Sequence, residues 1–123
     1  TSDIVTCHTP LTNETRHIVD SRRLSMMKSS AILINTSRGP IVDEKALISA
    51  LTDGEIAAAG LDVFEKEPVD PDNPLLKMEN VVATPHMAGT TWDTWSRRAK
   101  FAFQNMERVR SGESPQAVVN FVD

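Results

Sequence analysis

Four short, unbroken apolar runs constrain this chain more than any other feature: Ile4–Cys7, Ala31–Asn35, Ala58–Val63 and Val81–Thr84. Each is about 4–6 residues long, the usual length of a strand and too short for a helix. The runs are continuous rather than alternating, which predicts strands covered on both faces, as in a parallel sheet. Helical patterns lie between them. Asp20 or Ser21 can cap a short helix carrying Leu24 and Met27 and ending near Lys28–Ser30. Asp43 can cap a second, with Ala46, Leu47, Ala50 and Leu51 on one face and Gly54 as its terminating residue. Trp92, Trp95, Ala99, Ala102, Met106 and Val109 recur at alternating steps of three and four residues. They predict a long amphipathic helix started by Thr90 or Thr91 and ended by Gly112. Their apolar stripe reads first as packing surface. The stretch Glu65–Asn80 holds Pro68, Pro71 and Pro74 and is expected to be the one long loop. The expected fold class is therefore α/β: a parallel sheet of about four strands, right-handed crossovers, flanking helices and a long amphipathic C-terminal helix.

Charge and cysteine usage narrow the partners. Lys plus Arg number 13 against 17 Asp plus Glu, a net charge of −4. That balance argues against a nucleic-acid or anionic-membrane partner, which selects clustered cations. Arg22–Arg23 and Arg97–Arg98 read as solvated helix faces. The single cysteine, Cys7, excludes an internal disulfide framework, points to a reducing compartment such as the cytoplasm, and is expected to be a small buried hydrophobe. No apolar run approaches the roughly 20 residues of a membrane span, and no secretory leader is recognisable. The sequons at Asn13 and Asn35 are expected to be accidental. With Thr1 as its first residue and a strand almost at once, the chain is expected to be a fragment.

In open α/β sheets, ligands bind beyond the carboxyl ends of the strands. The residues just past each run are therefore informative. His8, Thr9 and Pro10 succeed the first, and Thr36, Ser37, Arg38 and Gly39 the second. Asp62, Glu65 and Glu67 succeed the core of the third, and Pro85, His86, Ala88 and Gly89 the fourth. Arg38 precedes Gly39-Pro40, a turn that fixes its direction, and its planar fork suits a carboxylate. His86 beside a carboxylate is a candidate general acid–base, because the pair favours the imidazolium. Glu65 and Glu67 are both candidates for that partner, and Asp62 could equally cap the turn after it. Metal binding is the weaker alternative, since Cys7, His8, His17 and His86 have no ligand spacing. No G-x-S-x-G elbow marks a serine hydrolase.

The string Ile34-Asn35-Thr36-Ser37-Arg38-Gly39-Pro40-Ile41-Val42-Asp43 resembles the arginine signature of the D-isomer-specific 2-hydroxyacid dehydrogenases. Gly60-Leu61-Asp62-Val63-Phe64-Glu65-Lys66-Glu67-Pro68 is similar to that family's glutamate motif, and Pro85-His86-Met87-Ala88-Gly89 to its histidine motif. His8-Thr9-Pro10-Leu11-Thr12 resembles an earlier cofactor-side turn. The resemblance implies a Rossmann-like half-sheet: residues 1–112 as the second half of a dinucleotide-binding domain with its C-terminal helix, and 113–123 as a tail. It selects Glu67, the glutamate directly before the proline, over Glu65. It further implies that Arg38 binds a substrate carboxylate and polarises its carbonyl, that His86 passes the proton, and that Glu67 holds His86 protonated. Cofactor contacts are implied for Thr9, Thr36, Ser37, Arg38, Asp62, His86, Ala88 and Gly89. The implied cofactor is NAD or NADP, the implied substrate a small 2-keto or 2-hydroxy acid, and the implied assembly a homo-oligomer or association with the missing half.

Two departures qualify the resemblance. No G-x-G-x-x-G occurs, so the half that cradles the pyrophosphate and a separate substrate domain are expected to lie elsewhere. The fragment alone is accordingly expected to be inactive and not to bind cofactor measurably. Thr90-Thr91-Trp92-Asp93 is less typical, which bears on substrate preference. A non-catalytic binding or assembly module of the same fold is the alternative from another class. A formate-type oxidoreductase is disfavoured by Glu67.

Overall fold

The structure, a computed structural model, describes residues 2–118. Strands β1 (Ile4–Cys7), β2 (Ile32–Asn35), β3 (Ala58–Leu61) and β4 (Val81–Ala83) form one sheet in chain order, every pair parallel. Between them lie α1 (Ser21–Ser25) and α2 (Glu44–Thr52), with 3-10 turns at Gly39–Ile41 and Pro74–Lys77. Helix α3 (Trp92–Arg110) comes last. The α/β class and the four-stranded parallel sheet are as the sequence predicts.

Boundaries differ locally for identifiable reasons. Ala31 and Thr84 fall just outside β2 and β4, yet Ala31 O and Thr84 N still bond to the neighbouring Ala57 and Leu61. Beyond Leu61 the chain bends, which frees the Asp62 carboxylate to gather the turn after β4. Asp20 caps α1 by accepting from Arg23 N at 2.8 Å. The helix stops before Met27, because Met26 N and Met27 N bond three residues back, to Arg23 O and Leu24 O. Asp43 caps α2 through Ala46 N at 3.0 Å, and Gly54, at φ +71°, terminates it in the left-handed region. In the long loop, Pro74 occupies the first turn of a 3-10 helix capped by Asn73, where a missing N–H costs nothing.

Only one side of the sheet is covered within this unit. Leu33, Ala59 and Leu61 lie buried against Leu24 of α1, Leu47 and Leu51 of α2, and Leu75 of the long loop. Each such leucine contributes roughly 1.5–3 kcal/mol through the apolar surface it removes from water. The alternate residues are open: Ile4 is 57 % exposed, Ile32 37 % and Val82 70 %. The expected cover on the second face is not supplied within this unit, since the connecting elements all pack on the side of Leu33 and Leu61. Cys7 is buried on that covered side, and burial pushes its thiol pKa up, which leaves it inert as a nucleophile.

The chain divides into two compact units between Ala88 and Gly89. In the second, Thr91 caps α3 by accepting from Thr94 N, and Gly112 at φ +78° stands just past its end. No residue of α3 is buried; Trp92, Trp95, Met106 and Val109 of the apolar stripe are exposed, as are Phe101 and Phe103. The segment after the helix folds back along it, with Gln116 N bonding Asn105 Oδ1 at 2.7 Å and Arg108 paired with Glu113 at 2.9 Å. Of the expected tail 113–123, residues 119–123 lie outside the described residues.

Candidate active site

Cys7, Asn35, Leu61 and Ala83 end their strands side by side, so the loops that leave them emerge along one edge. Asn35, 1 % exposed, shapes the first of the chemically important loops. Its Oδ1 accepts from Ser37 N at 3.1 Å and Ser37 Oγ at 2.9 Å, and its Nδ2 donates to Arg38 O at 3.0 Å. This buried amide fixes the turn from which Arg38 projects. Arg38 is exposed and spends one donor, Nη1, on Ser37 O at 2.7 Å, leaving four for a ligand.

Gly39 explains how the arginine turn meets the glutamate loop. A Cβ at this position would collide with the carbonyl of Phe64, a main-chain group with no room to yield. The two backbones therefore touch directly. From the same loop, Glu67 folds back so that Oε1 accepts from Phe64 N at 3.1 Å while Oε2 bonds His86 Nδ1 at 2.7 Å. The hydrogen bond from His86 holds the Glu67 carboxyl below its ordinary range; partial burial opposes this, and the Phe64 amide and the charges of His86 and Arg38 add to it. Glu65, the competing carboxylate, points elsewhere and pairs with His17 at 2.8 Å.

Asp62 builds the turn that carries His86. Only 3 % exposed, its Oδ1 accepts from Thr84 Oγ1 and Met87 N, and its Oδ2 from Ala88 N. The Asp62 carbonyl takes His86 N at 2.9 Å. Burial pushes the Asp62 pKa up, but the bonds from Thr84, Ala88 and Met87 and the His86 charge outweigh it, and the net shift is downward. With its own N–H and those of the next two residues so held, His86 sits at φ +53°, a left-handed conformation unusual for a residue with a Cβ and typical of over-determined functional turns. Next to the pair opens an apolar cleft of about 630 Å³, walled by Phe64, Pro68, Val69, Leu76, Ala83 and Pro85.

The folded-state pKa values of Asp62 and Glu67 are depressed, so the stability they supply is present above the ordinary carboxylate range. It is lost as pH falls from about 4 towards the folded values. Urea melts of the chain taken down through this window will show falling stability. In Asp62→Asn the fall will be shallower and the starting stability lower.

The remaining expected residues lie in the strand-end loops and at the boundary between the units. Thr36 is exposed and Ser37 half-buried in the Asn35 turn, and Thr9 is exposed in the loop leaving the neighbouring β1. Ala88 is exposed at the end of the first unit, its N–H committed to Asp62. Gly89 opens the second unit beside Arg98. Among the described residues no group of three or more His, Cys, Asp or Glu side chains could hold a metal. Sequence reading weighed His17 only as a metal ligand and passed over Glu44 and Asn73; His17 and Glu44 bond Glu65, and Asn73 bonds Glu44. An acidic residue in a helix's first turn is unremarkable, and nothing in one dimension links position 44 to position 65.

The family model for "D-isomer specific 2-hydroxyacid dehydrogenase, NAD binding domain" matches residues 1–88. The chain belongs to this family. Among relatives of the D-isomer specific 2-hydroxyacid dehydrogenases, a glyoxylate reductase from Korarchaeum cryptofilum is 53 % identical over 119 residues, 97 % of this chain but 36 % of that protein. The chain thus spans about a third of the length of the curated relatives it matches. A D-lactate dehydrogenase with NAD+ from Lactobacillus jensenii superposes with a TM-score of 0.87 at 37 % identity, over 97 % of this chain and 40 % of that one. A D-isomer specific 2-hydroxyacid dehydrogenase from Xanthobacter autotrophicus Py2, in complex with NADPH and MES, gives 0.84 at 43 % identity, over 97 % and 48 %. These solved members of the family hold NAD+ or NADPH. No helix among the described residues is long and apolar enough to cross a membrane.

Proposed function

We propose that the intact protein reduces a small 2-keto acid to the 2-hydroxy acid with NADH or NADPH. In this reading residues 1–112 are the second half of its dinucleotide-binding domain and 113–123 a tail. The protein works in the cytoplasm as a homo-oligomer or joined to the half this chain lacks. The observation that carries this reading is the 2.7 Å bond between Glu67 Oε2 and His86 Nδ1, formed beside the charge of Arg38.

The residues present fit the nicotinamide end of such a cofactor. The Asp62 carboxylate offers about four lone-pair sites and has filled three, leaving one acceptor for an amide N–H. Thr36, Ser37 and Thr9 line the same strand-end edge, where a dinucleotide lies in an open α/β sheet. The cofactor, when bound, supplies the hydride. Arg38 pairs with the substrate carboxylate and draws electron density from the adjacent carbonyl. Since Glu67 engages Nδ1, His86 presents Nε2, and that atom delivers the proton to the carbonyl oxygen. Glu67, bonded to Nδ1, keeps the ring oriented for that transfer. In the reverse direction Nε2 takes the hydroxyl proton. The acid reduced is small and carboxylated, glyoxylate and hydroxypyruvate being the first to assay.

Glu67→Gln in the intact protein tests the arrangement. It removes a charge-assisted hydrogen bond that orients His86, and 2-keto acid reduction falls by about 10- to 100-fold. Unchanged turnover across pH would refute the assignment.

A further inference from the structure

The proposed chemistry needs Glu67 to arrive at His86 from a long loop, and the structure shows a device that sets that loop. Glu44 N donates to Glu65 Oε1 at 3.2 Å, and Glu65 N donates to Glu44 Oε2 at 3.0 Å. Each residue's main-chain N–H is held by the other's carboxylate, the reciprocity of a capping box made between segments far apart in sequence. Glu44 is the first residue of α2, so its N–H has no partner within the helix, and the positive end of the helix favours both carboxylates. The clasp is braced at each side. Asn73 Nδ2 donates to Glu44 Oε1 at 2.7 Å, and His17 Nε2 holds Glu65 Oε1 at 2.8 Å. His17 is itself fixed at φ +52°, its N–H bonded at 2.8 Å to Pro40 O, in the turn just after Arg38.

We propose that the Glu44–Glu65 clasp, braced by His17, is the positioning device that holds the glutamate loop in register with the Arg38 turn, so that Glu67 meets His86. The inference rests on the acid–base reading of Glu67 and His86. Glu65 N shares a peptide plane with the Phe64 carbonyl that meets Gly39, and the Phe64 N–H one residue-length back fixes Glu67 Oε1, so holding the Glu65 amide restrains both. The arginine turn, the start of α2 and the glutamate loop are joined at this one place. Among the described residues, Glu65, Glu44 and His17 make no side-chain hydrogen bond or ion pair with His86 or Arg38, and they are positioning residues. Exposed pairs of this kind add little to global stability, so loosening the clasp moves the loop and leaves the fold.

The test uses the 123-residue chain, with carboxyl-carbon NMR titration of Glu67 and hydrogen exchange at the Phe64 amide. In Glu65→Ala and Glu44→Ala, the Glu67 titration moves up towards the ordinary glutamate range and Phe64 protection falls about tenfold or more. Glu65→Gln retains an oxygen to accept from Glu44 N and keeps both readings near those of the parent. A folded Glu65→Ala chain with both readings unchanged would overturn the proposal. So would a Glu65→Gln chain that behaves like Glu65→Ala. Should Glu65→Ala not fold, Glu65→Asp, one methylene short of the clasp, carries the same two readings. None of them depends on turnover, so a failed clasp is distinguishable from a failed dehydrogenase reading, which shows only in the activity of the intact protein.

Discussion

Gly39→Ala will cost the first unit about 3 kcal/mol or more, read as a lowered midpoint in a urea melt of the chain. The added methyl has nowhere to go, because the obstacle is the Phe64 carbonyl and not the end of a flexible side chain. One backbone has to retreat from the other. Retreat of the arginine turn strains the bonds that Asn35 makes to Ser37 and Arg38. Retreat of the glutamate loop breaks the Phe64 N–H bond to Glu67. Against a total stability of about 5–15 kcal/mol for a small domain, either is a large loss. The same substitution in the intact protein will lower activity beyond what instability explains, because Arg38 and Glu67 move relative to each other. A midpoint within experimental error of the parent would show that the two segments do not cross at Gly39.

In the intact protein, His86→Ala will lower kcat for 2-keto acid reduction by about 10²- to 10⁴-fold, the usual contribution of a positioned acid–base group. KM will change far less, since the substrate carboxylate is assigned to Arg38. Arg38→Lys gives the complementary pattern: a point charge replaces a planar fork, and KM rises more than kcat falls. The stability cost of His86→Ala is small, because the side chain is half exposed and the turn is held through main-chain groups by Asp62. A variant that retained near-parental turnover would remove His86 from the mechanism and with it the role given to Glu67.

The sheet was legible in the sequence because each strand is an unbroken apolar run and each of α1 and α2 opens on an aspartate cap. The site was legible to the extent that strand ends deliver their chemistry to one edge. Choosing Glu67 over Glu65 was beyond spacing, since both lie in the same loop; the motif resemblance selects Glu67, and the fold turns it to His86 and Glu65 to His17. Asp62 stood open between turn cap and ligand contact; its burial and three accepted bonds explain how the His86 turn is held. The open side of the sheet was not legible at all. Apolarity on both sides of a strand records what a strand needs covered, while the side that is covered depends on where the connections run.

The placement of the two tryptophans decides how such experiments are monitored. Both sit in α3, Trp92 at 93 % and Trp95 at 62 % exposed, and the chain has no tyrosine. Near-ultraviolet absorbance and intrinsic fluorescence therefore come almost wholly from the second unit, while the unit that carries Arg38, Glu67 and His86 is optically silent. A fluorescence melt would track a helix and miss the sheet. Far-ultraviolet circular dichroism, or a tryptophan installed in place of Phe64 or another residue of the first unit and checked for native folding, gives the loops around His86 a signal of their own.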